Sequence, residues 1–420
     1  MTDELTASPP LSKAFTRYQT FVAGCLVFLQ FAVILDFMII SPLGAIIMPA
    51  LHVSPRQFGL VVSAYAFSAG VLALVAAGFA DRFDRKRMLL FFYSGFVVGT
   101  VWCGLADSFP ALLMARTVTG VFGGVIGSVL LAIATDLFAS HLRGRVMGVI
   151  QTSFGASQVL GLPAGLYLSN HWTWHTPFLA IAAFGVVGGL VIAFGLRPVN
   201  AHLAERQERR AFLHLLNTVA EPRYVVAFVA TAFLTIGGYV LMPFISAFTV
   251  HNIEIDLGSL PIIYLVTGLC TIVLGPLIGR AADAFGRIRV FLMGCTVSII
   301  MVVIFTHLGP VPLPVVILVN VLMFVGIFSR IIPFQALVSS IPEPNKRGSF
   351  NAINSATQQL AGGVASVVAG HIVSIGADGK LLHVPTIGYV IVGTTLTSAV
   401  LVWRMQQSAW KRSRPLVVAV

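Results

Sequence analysis

Long apolar runs are the feature that most restricts what this chain can fold into. Most of them match or exceed the roughly 20 residues that an α-helix needs to cross a bilayer. Twelve occur, at residues 21–49, 58–80, 88–106, 109–137, 146–168, 174–196, 224–250, 258–280, 288–307, 313–341, 349–376 and 385–405. Only 10% of the 420 residues are charged, whereas soluble proteins carry roughly 25%. The sequence therefore predicts an all-α integral membrane protein with twelve transmembrane helices, called spans 1 to 12 below.

The positions of Lys and Arg predict which helix ends face the cytoplasm. If both termini are cytoplasmic, Arg56 and Lys380 are the only cations in the opposite loops, and Arg116 and Arg330 lie within runs. The other 22 of the 26 Lys and Arg, all but these four, then fall at cytoplasmic loops, helix ends or tails. Cations accumulate on the cytoplasmic side of membrane proteins, which explains the net charge of +11 without a nucleic-acid partner. We expect a bacterial inner-membrane protein surrounded by lipid.

A charged loop occurs twice in the chain. The first copy contains Asp81 after span 2, and the second contains Asp283 after span 8, an offset of 202 residues. A second repeat lies after spans 4 and 10, where Arg143-Gly144 recurs as Arg347-Gly348 at an offset of 204. Nearly equal offsets indicate two copies of one six-helix unit. The predicted organisation is a cytoplasmic tail (1–20), an N-terminal bundle (21–196), a cytoplasmic linker (197–222), a C-terminal bundle (223–405) and a second tail (406–420).

These residues resemble the Major Facilitator Superfamily over essentially the whole chain. The loop after span 2 is similar to the family signature Gly-x-Leu-Ala-Asp-Arg-x-Gly-Arg-Lys, with Ala77 and Asp84 in place of its two glycines. The second copy of the loop keeps both glycines, as Gly279 and Gly286. In span 4, Arg116-x-x-x-Gly resembles the Arg-Gly motif of the family. The resemblance implies the major facilitator fold, with two six-helix bundles that alternate access to a central site.

Two other stretches resemble one branch of that family. In span 5, Gly155 and Gly161-x-Pro163-x-Gly165 are similar to the glycine-proline motif associated with antiporters, although Leu162 separates Gly161 from Pro163. Residues 36–44, Asp-Phe-Met-Ile-Ile-Ser-Pro-Leu-Gly, are similar to the arabinose-efflux-permease-like branch of the twelve-span drug:proton antiporters.

The function that the resemblance implies is proton-coupled efflux, by antiport, of a small organic solute such as a drug or a sugar-like compound. The proton gradient would supply the energy, no cofactor or metal is expected, and one chain would act as a monomer. The alternative is a proton symporter or facilitator that imports a small nutrient or organic anion. An enzyme is not expected, because His371 is the only one of the ten His clearly inside a run and no acid shares its helix.

Asp36 and Arg116 are the candidates for proton coupling. A charge inside the bilayer costs roughly 2.5–3.5 kcal/mol on insertion scales, so an intramembrane charge indicates a function. Asp36 lies about 15 residues into span 1 and Arg116 about seven into the antiparallel span 4, so at about 1.5 Å per residue their depths nearly coincide. Desolvation favours a protonated carboxyl, whereas a nearby cation favours the carboxylate, so a change in their separation would move a proton. A static ion pair, or an Asp36 that binds a cationic substrate, are the alternatives.

Polar and aromatic side chains within the spans are the candidates for lining a cavity between the helices. Arg330 is a candidate anchor for a carboxylate-bearing substrate, or equally a gate or a donor to backbone that Pro333 leaves unpaired. The other predicted substrate-binding residues are Tyr65, Gln151, Gln158, Tyr239, Phe334, Gln335, Asn351, Asn354 and Gln358. Their alternative role is packing or hydrogen bonding between helices, worth about 0.6 kcal/mol for each bond.

The resemblance also implies a conformational latch at the repeated loop. Asp81 would cap a helix start in the opposite half, and Arg85 would pair with Asp136 at the end of span 4. Asp283 and Arg287 would repeat this latch less completely. The alternative is that these cations only hold the loops in the cytoplasm.

Overall fold

A computed structural model describes residues 15–79, 82–200, 203, 218–343 and 346–413. Asp81 lies outside these ranges, as do parts of the predicted linker (197–222) and of both predicted tails (1–20 and 406–420).

Nine spans are continuous apart from short turns at their ends. They are span 2 (Pro55–Ala77), span 3 (Arg85–Cys103), span 4 (Phe109–Leu137), span 6 (Thr176–Gly195), span 8 (Leu260–Phe285), span 9 (Arg287–Thr306), span 10 (Leu313–Val338), span 11 (Arg347–Ile372) and span 12 (Val384–Ser413). A two-stranded antiparallel hairpin, Ser374–Ile375 with Leu381–Leu382, joins spans 11 and 12. The sequence did not predict this hairpin.

The other three spans are broken helices. Span 1 is Arg17–Ile39 followed by Gly44–Ala50, and span 7 is Pro222–Tyr239, a 3₁₀ turn at Met242–Phe244, and Ile245–His251. Span 5 is Ser140–Ala156, a π turn at Ser157–Gly161, and Leu162–His171. Pro42 and Pro243 fall in the breaks of spans 1 and 7, where a residue without a backbone N–H interrupts the helical ladder.

Nine helices in the described ranges are long and apolar enough to cross a membrane by themselves, and spans 3, 5 and 11 are not among them. Span 3 begins with three consecutive basic residues and the first turns of span 5 carry Arg143 and Arg145, whereas span 11 contains several amides. In the structure, each of these three spans packs against other spans.

Helix packing repeats between the two halves. In the N-terminal half, span 1 packs on spans 5 and 6, span 3 on spans 4 and 6, and span 2 on span 4. Adding six to each number gives the contacts of the C-terminal half, namely 7 with 11 and 12, 9 with 10 and 12, and 8 with 10. The predicted fold of two six-helix bundles is therefore confirmed.

The halves meet along two seams, spans 2 with 11 and spans 5 with 8. On the first seam a Cβ added to Gly59 would lie 2.6 Å from the Ser366 carbonyl oxygen, and one added to Gly370 would lie 2.9 Å from that of Pro55. A side chain cannot fit at such distances, so backbone packs on backbone there. We call this contact the glycine seam.

The second seam is closed over only part of its length. A Cβ on Gly268 of span 8 would lie 3.2 Å from the Gln158 carbonyl oxygen of span 5, but a Cβ on Gly148, Gly275 or Gly279 would meet no atom within 4 Å. We call the end of the molecule that carries the loops after spans 2, 4, 8 and 10 the basic end, and the opposite end the far end. Gly148, Gly275 and Gly279 lie toward the basic end. Spans 5 and 8 therefore separate toward the basic end.

The far end is closed by contacts between the halves. The Ser246 hydroxyl of span 7 donates to the Ser41 carbonyl oxygen of span 1 at 3.0 Å, and the Asn170 side-chain amide donates to the Leu257 carbonyl oxygen at 3.0 Å. The rings of Phe58 and Phe244 also meet there, with centroids 6.2 Å apart. The conformation is thus closed at the far end and open toward the basic end.

Candidate functional site in the transmembrane core

Asp36 and Arg116 lie against each other in the core of the N-terminal half. An Asp36 carboxylate oxygen accepts from Arg116 Nη1 at 2.9 Å, and both side chains are wholly inaccessible to solvent. The same Nη1 donates to the Asp36 carbonyl oxygen at 3.1 Å, and the Thr100 hydroxyl of span 3 donates to the second carboxylate oxygen at 3.1 Å. Spans 1, 3 and 4 therefore share one buried polar centre.

The Arg116 guanidinium is incompletely satisfied. Its Nε and Nη2 are buried and make no hydrogen bond within the described residues, although a guanidinium carries five N–H donors. The ring of Tyr65 in span 2 also lies against the guanidinium, with its centroid 4.7 Å from Cζ, a cation–π distance. Asp36 is thus the carboxylate that neutralises Arg116, so a proton on Asp36 would leave a buried cation uncompensated.

A chain of aromatic rings joins this centre to the other half. Tyr65 lies 5.2 Å from Phe37, and Phe37 lies 6.2 Å from Tyr239 of span 7. Span 11 reaches the same place, because a Cβ on Gly362 would lie 3.3 Å from the Tyr239 ring. Tyr65 and Tyr239, both predicted cavity residues, are therefore brought together on the axis between the halves.

The sequence prediction missed Phe37 and Thr100. Phe37 is one of 31 phenylalanines in the chain, and only its position beside Asp36 distinguishes it. Thr100 is one hydroxyl in an apolar run, and hydroxyls in such runs commonly bond to their own helix, as Thr100 also does to Phe96. Neither pattern carries a signal above that background.

A second aromatic contact crosses the axis between spans 5 and 10, where the rings of Phe154 and Phe328 are 6.4 Å apart. Gln151 precedes Phe154 by three residues and Gln335 follows Phe328 by seven, so each amide shares the helix face of its phenylalanine. Both glutamines are exposed. They face the opening on the basic side of this contact, whereas Gln158 is buried where span 5 meets span 8.

Span 11 divides its predicted residues between two roles. Asn351 and Gln358 precede Gly362, which packs against Tyr239, by eleven and four residues, so all three lie on the face toward the axis. Asn354 instead accepts a hydrogen bond from the Thr231 hydroxyl of span 7 at 2.7 Å. Asn354 therefore joins two helices of one half, as the alternative interpretation proposed.

Arg330 and Phe334 point away from the axis, which corrects their predicted place in the cavity wall. Arg330 is 1% exposed, and its Nη1 donates to the Thr395 hydroxyl of span 12 at 2.6 Å. Phe334 packs on Phe291 of span 9, with ring centroids 6.3 Å apart. With about 100° of rotation per residue, both lie on the opposite face of span 10 from Phe328. The sequence therefore did not predict the direction in which these two side chains point.

The basic end holds the residues of the predicted latch. Arg85 Nε lies 3.2 Å from an Asp136 carboxylate oxygen, which ties span 3 to span 4. Arg287, 202 residues after Arg85, donates to the Ala336 carbonyl oxygen at the end of span 10 at 3.1 Å, and Asp283 is exposed. These contacts lie within one half, Asp81 falls outside the described residues, and the latch between the halves stays a prediction.

Two six-helix units that repeat one packing arrangement about a central axis form an architecture found among membrane transporters. The Major Facilitator Superfamily model matches residues 26–366 and, in a second alignment, residues 227–415. The chain belongs to the Major Facilitator Superfamily.

Similar proteins in the family are named as transporters. The chain is 28% identical to the "Uncharacterized MFS-type transporter YceJ" of Bacillus subtilis over 347 residues, which cover 81% of this chain and 86% of YceJ. It is 25% identical to "Multidrug resistance protein MdtG" of Klebsiella pneumoniae over 252 residues, which cover 58% of this chain and 60% of MdtG.

Solved structures share the fold at low sequence identity. A bacterial homolog of the human lysosomal transporter Spinster, in an inward-facing and occupied conformation, gives a TM-score of 0.74 at 16% identity over 96% of this chain and 100% of that one. A point mutant of the nucleoside transporter NupG gives 0.75 at 14% identity over 93% and 100%. This chain is therefore a multi-pass membrane transporter of small molecules and not an enzyme, and members of its family generally need no cofactor.

Proposed function

We propose that this protein is a proton-coupled antiporter that exports small organic solutes, with Asp36 as the proton-carrying group. The observation that carries the proposal is the buried pair of Asp36 and Arg116, 2.9 Å apart, in which two guanidinium nitrogens have no partner among the described residues. Breaking a buried pair by neutralising one member costs about 3–5 kcal/mol. That cost is large enough to favour one conformation over another.

Protonation of Asp36 would act on the path between the halves. A proton on the carboxylate removes the charge that holds Arg116, and the pair then separates. Asp36 lies four residues before the break of span 1 at residues 40–43, where the helix can bend. The next residue, Phe37, contacts Tyr239 of the other half, so a shift of span 1 would reach the axis directly.

Export is supported by the name of one relative and by the resemblance of residues 36–44 to the antiporter branch. MdtG, 25% identical over 58% of this chain, is named a multidrug resistance protein. We place the basic end in the cytoplasm of a bacterial inner membrane, because cations accumulate on that side. The linker and both tails are then cytoplasmic, and a single chain with two bundles forms the complete transport unit.

The latch proposal concerns the same cytoplasmic end. Arg85 and Asp136 would hold spans 3 and 4 as one unit, while Asp81, Asp283 and Arg287 complete the contact in the state that is closed to the cytoplasm. A carboxylate at a helix N-terminus gains about 0.3–1 kcal/mol from the helix dipole, which suits a contact that must form and break in each cycle.

The proposal is tested in proteoliposomes that contain a pH-sensitive dye, with a panel of aromatic and polyhydroxylated solutes and an imposed pH gradient. Wild type should move protons against at least one solute, and Asp36→Asn should abolish this movement while the protein still inserts and folds. Asp378→Asn, which changes an exposed acid in the hairpin between spans 11 and 12, is the matched control and should behave as wild type. Normal proton-driven transport by Asp36→Asn would refute the proposal, and co-accumulation of solute with protons would show symport instead.

A further inference from the structure

The charge-bearing residues of the transmembrane core do not face the opening between the halves. Asp36 and Arg116 are inaccessible and neutralise each other inside the N-terminal bundle, and Arg330 is 1% exposed and bonded to Thr395 inside the C-terminal bundle. In the described part of the chain, Arg, Lys, Asp and Glu otherwise occupy the loops and the helix ends. A charged solute at mid-depth would therefore leave water without meeting a counter-charge.

Four side-chain amides do face this opening. We call Gln151, Gln335, Asn351 and Gln358, from spans 5, 10 and 11, the amide face. None of the four side chains makes a hydrogen bond to another described residue, in contrast to Asn354, which bonds to Thr231. Each amide offers two N–H donors and a carbonyl acceptor, so the amide face can bind groups of either polarity without a charge.

Aromatic rings close the opening at its inner limit. Phe154 and Phe328 meet across the axis at 6.4 Å, and Phe37 lies between Tyr65 and Tyr239 at 5.2 and 6.2 Å. Planar or apolar groups pack well on such rings. The opening therefore combines an aromatic floor with an uncharged polar wall.

We propose that the transported solute is uncharged, with an aromatic or apolar body that stacks on these rings and with hydroxyl or amide groups that bond to the amide face. Burial of an unpaired charge costs far more free energy than burial of a hydrogen-bonded polar group. The site should therefore prefer uncharged solutes to charged ones. This inference rests on the proposed function, because it names the substrate class of the same transporter.

The charge of the solute also determines how much net charge crosses the membrane in each exchange. One proton entering as one uncharged solute leaves carries one net positive charge inward, so exchange responds to the membrane potential as well as to the pH gradient. Exchange of one proton for one monovalent cation carries no net charge and does not respond. The two substrate classes are thus distinguishable without knowledge of the natural solute.

Binding is measured with the purified full-length chain in detergent, where proton coupling plays no part. The probes are three derivatives of one aromatic core that carry a carboxamide, a trimethylammonium or a carboxylate group, at equal concentrations. The carboxamide should bind at least tenfold more tightly than either charged derivative. Equal or tighter binding of a charged derivative would overturn the proposal, as would failure of the carboxamide to bind.

Variants of the amide face locate the site. Gln335→Ala and Asn351→Ala should each weaken carboxamide binding by roughly three- to tenfold, as expected for one lost hydrogen bond. Gln406→Ala, an exposed amide near the end of span 12, is the matched control and should not change it. Gln335→Glu should gain affinity for the trimethylammonium derivative. Unchanged binding in both alanine variants would refute the amide face as the site.

Transport separates this inference from the proposed function. In proteoliposomes, a potassium diffusion potential set with valinomycin should change the rate of carboxamide movement in wild type. If the carboxamide binds but no proton moves with it, the proton-coupled function fails and the substrate class stands. If protons move only with a charged derivative, the substrate class fails and proton coupling stands.

Discussion

The two halves of the protein repeat one helix arrangement but hold different chemistry at equivalent positions. Beside Asp36, the N-terminal half places Arg116 of span 4 and Tyr65 of span 2. The residues 204 and 202 positions later, Asn320 of span 10 and Thr267 of span 8, are uncharged and line a small cleft with Ser246, Thr249 and Tyr264. The buried Thr267 hydroxyl has no partner among the described residues. The scaffold is therefore symmetric, whereas the ion pair exists in one half.

This asymmetry indicates that the two halves have different functions. In the proposed proton-coupled cycle, an ion pair buried in both bundles would give two groups that compete for the driving proton, whereas a single pair would give one protonation step. The C-terminal half keeps a buried cation, Arg330, on the opposite side of span 10 from the axis. The following predictions test how far each half depends on its own chemistry, from the largest expected effect to the smallest.

Replacing Arg116 of the N-terminal half by the asparagine found at the equivalent position of the C-terminal half should have the largest effect. Arg116→Asn copies Asn320 into span 4 and leaves Asp36 buried without a cation, which should lower the free energy of unfolding by about 3–5 kcal/mol and abolish proton-driven transport. Thermal unfolding in detergent measures the first effect. The double variant Asp36→Asn/Arg116→Asn should recover most of the stability but no transport. If Arg116→Asn alone were as stable as wild type, the ion pair of Asp36 and Arg116 would not contribute to stability.

Equivalent spans of the two halves should tolerate a small side chain differently. Gly59→Ala in span 2 forces a methyl group to within 2.6 Å of the Ser366 carbonyl oxygen, so we expect a loss of about 1–3 kcal/mol. The matched variant Gly275→Ala in span 8 meets no atom within 4 Å and should be neutral or slightly stabilising. Equal destabilisation of both in thermal unfolding would contradict the contrast between the two seams.

Arg330→Met should change stability by less than about 1 kcal/mol or raise it. A buried ion carries a desolvation penalty, and the described residues give Arg330 a hydroxyl partner, Thr395, and no acid, so an apolar side chain of similar volume removes that penalty. Transport should persist, in contrast to the Arg116 variant. Loss of transport with normal folding would instead assign Arg330 a direct role in the cycle.

The smallest effect is expected at the basic end of the C-terminal half. Lys346 Nζ donates to a Glu221 carboxylate oxygen at 2.8 Å, and this hydrogen bond lowers the pKa of Glu221 and raises that of Lys346. A lowered carboxyl pKa contributes stability above the unfolded pKa, and that contribution is lost as pH falls through the folded pKa. Wild type should lose this small increment on acidification, whereas Glu221→Gln should lack it. Parallel melting temperature profiles across acidic pH would contradict this.

The fold was predictable because its causes are periodic. Apolar length gave twelve spans, and the offsets that relate Asp81 to Asp283 and Arg143 to Arg347 gave two repeats. Sequence distance along an antiparallel pair of helices also placed Asp36 and Arg116 at matching depth, where the structure brings them to 2.9 Å. Length, repetition and rise per residue are properties of the chain alone, so they can be read before the helices pack.

Which side chains face the opening depends on the rotation of each helix about its own axis, and helix packing decides that rotation. Arg330 and Gln335 are five residues apart, yet one points into the bundle and the other toward the opening. Asn354 and Gln358 are spaced as neighbours on one face, but a hydroxyl from span 7 occupies Asn354. Contacts between helices, such as that of Gly59 in span 2 with Ser366 in span 11, decide which face of a helix is buried, and the local sequence does not show which helix will be the partner.

The glycine seam has a mechanical consequence. A line of contact on one side, with a gap on the other, makes the opening a wedge, and a rotation of the halves about the seam would act as a lever. In such a rotation, displacement would grow with distance from the seam, so Gly148 and Gly275 would move far while Gly59 and Gly370 would hardly move. Distance probes on spans 5 and 8 would therefore record the full stroke of the transport cycle, whereas probes beside the seam would remain nearly still.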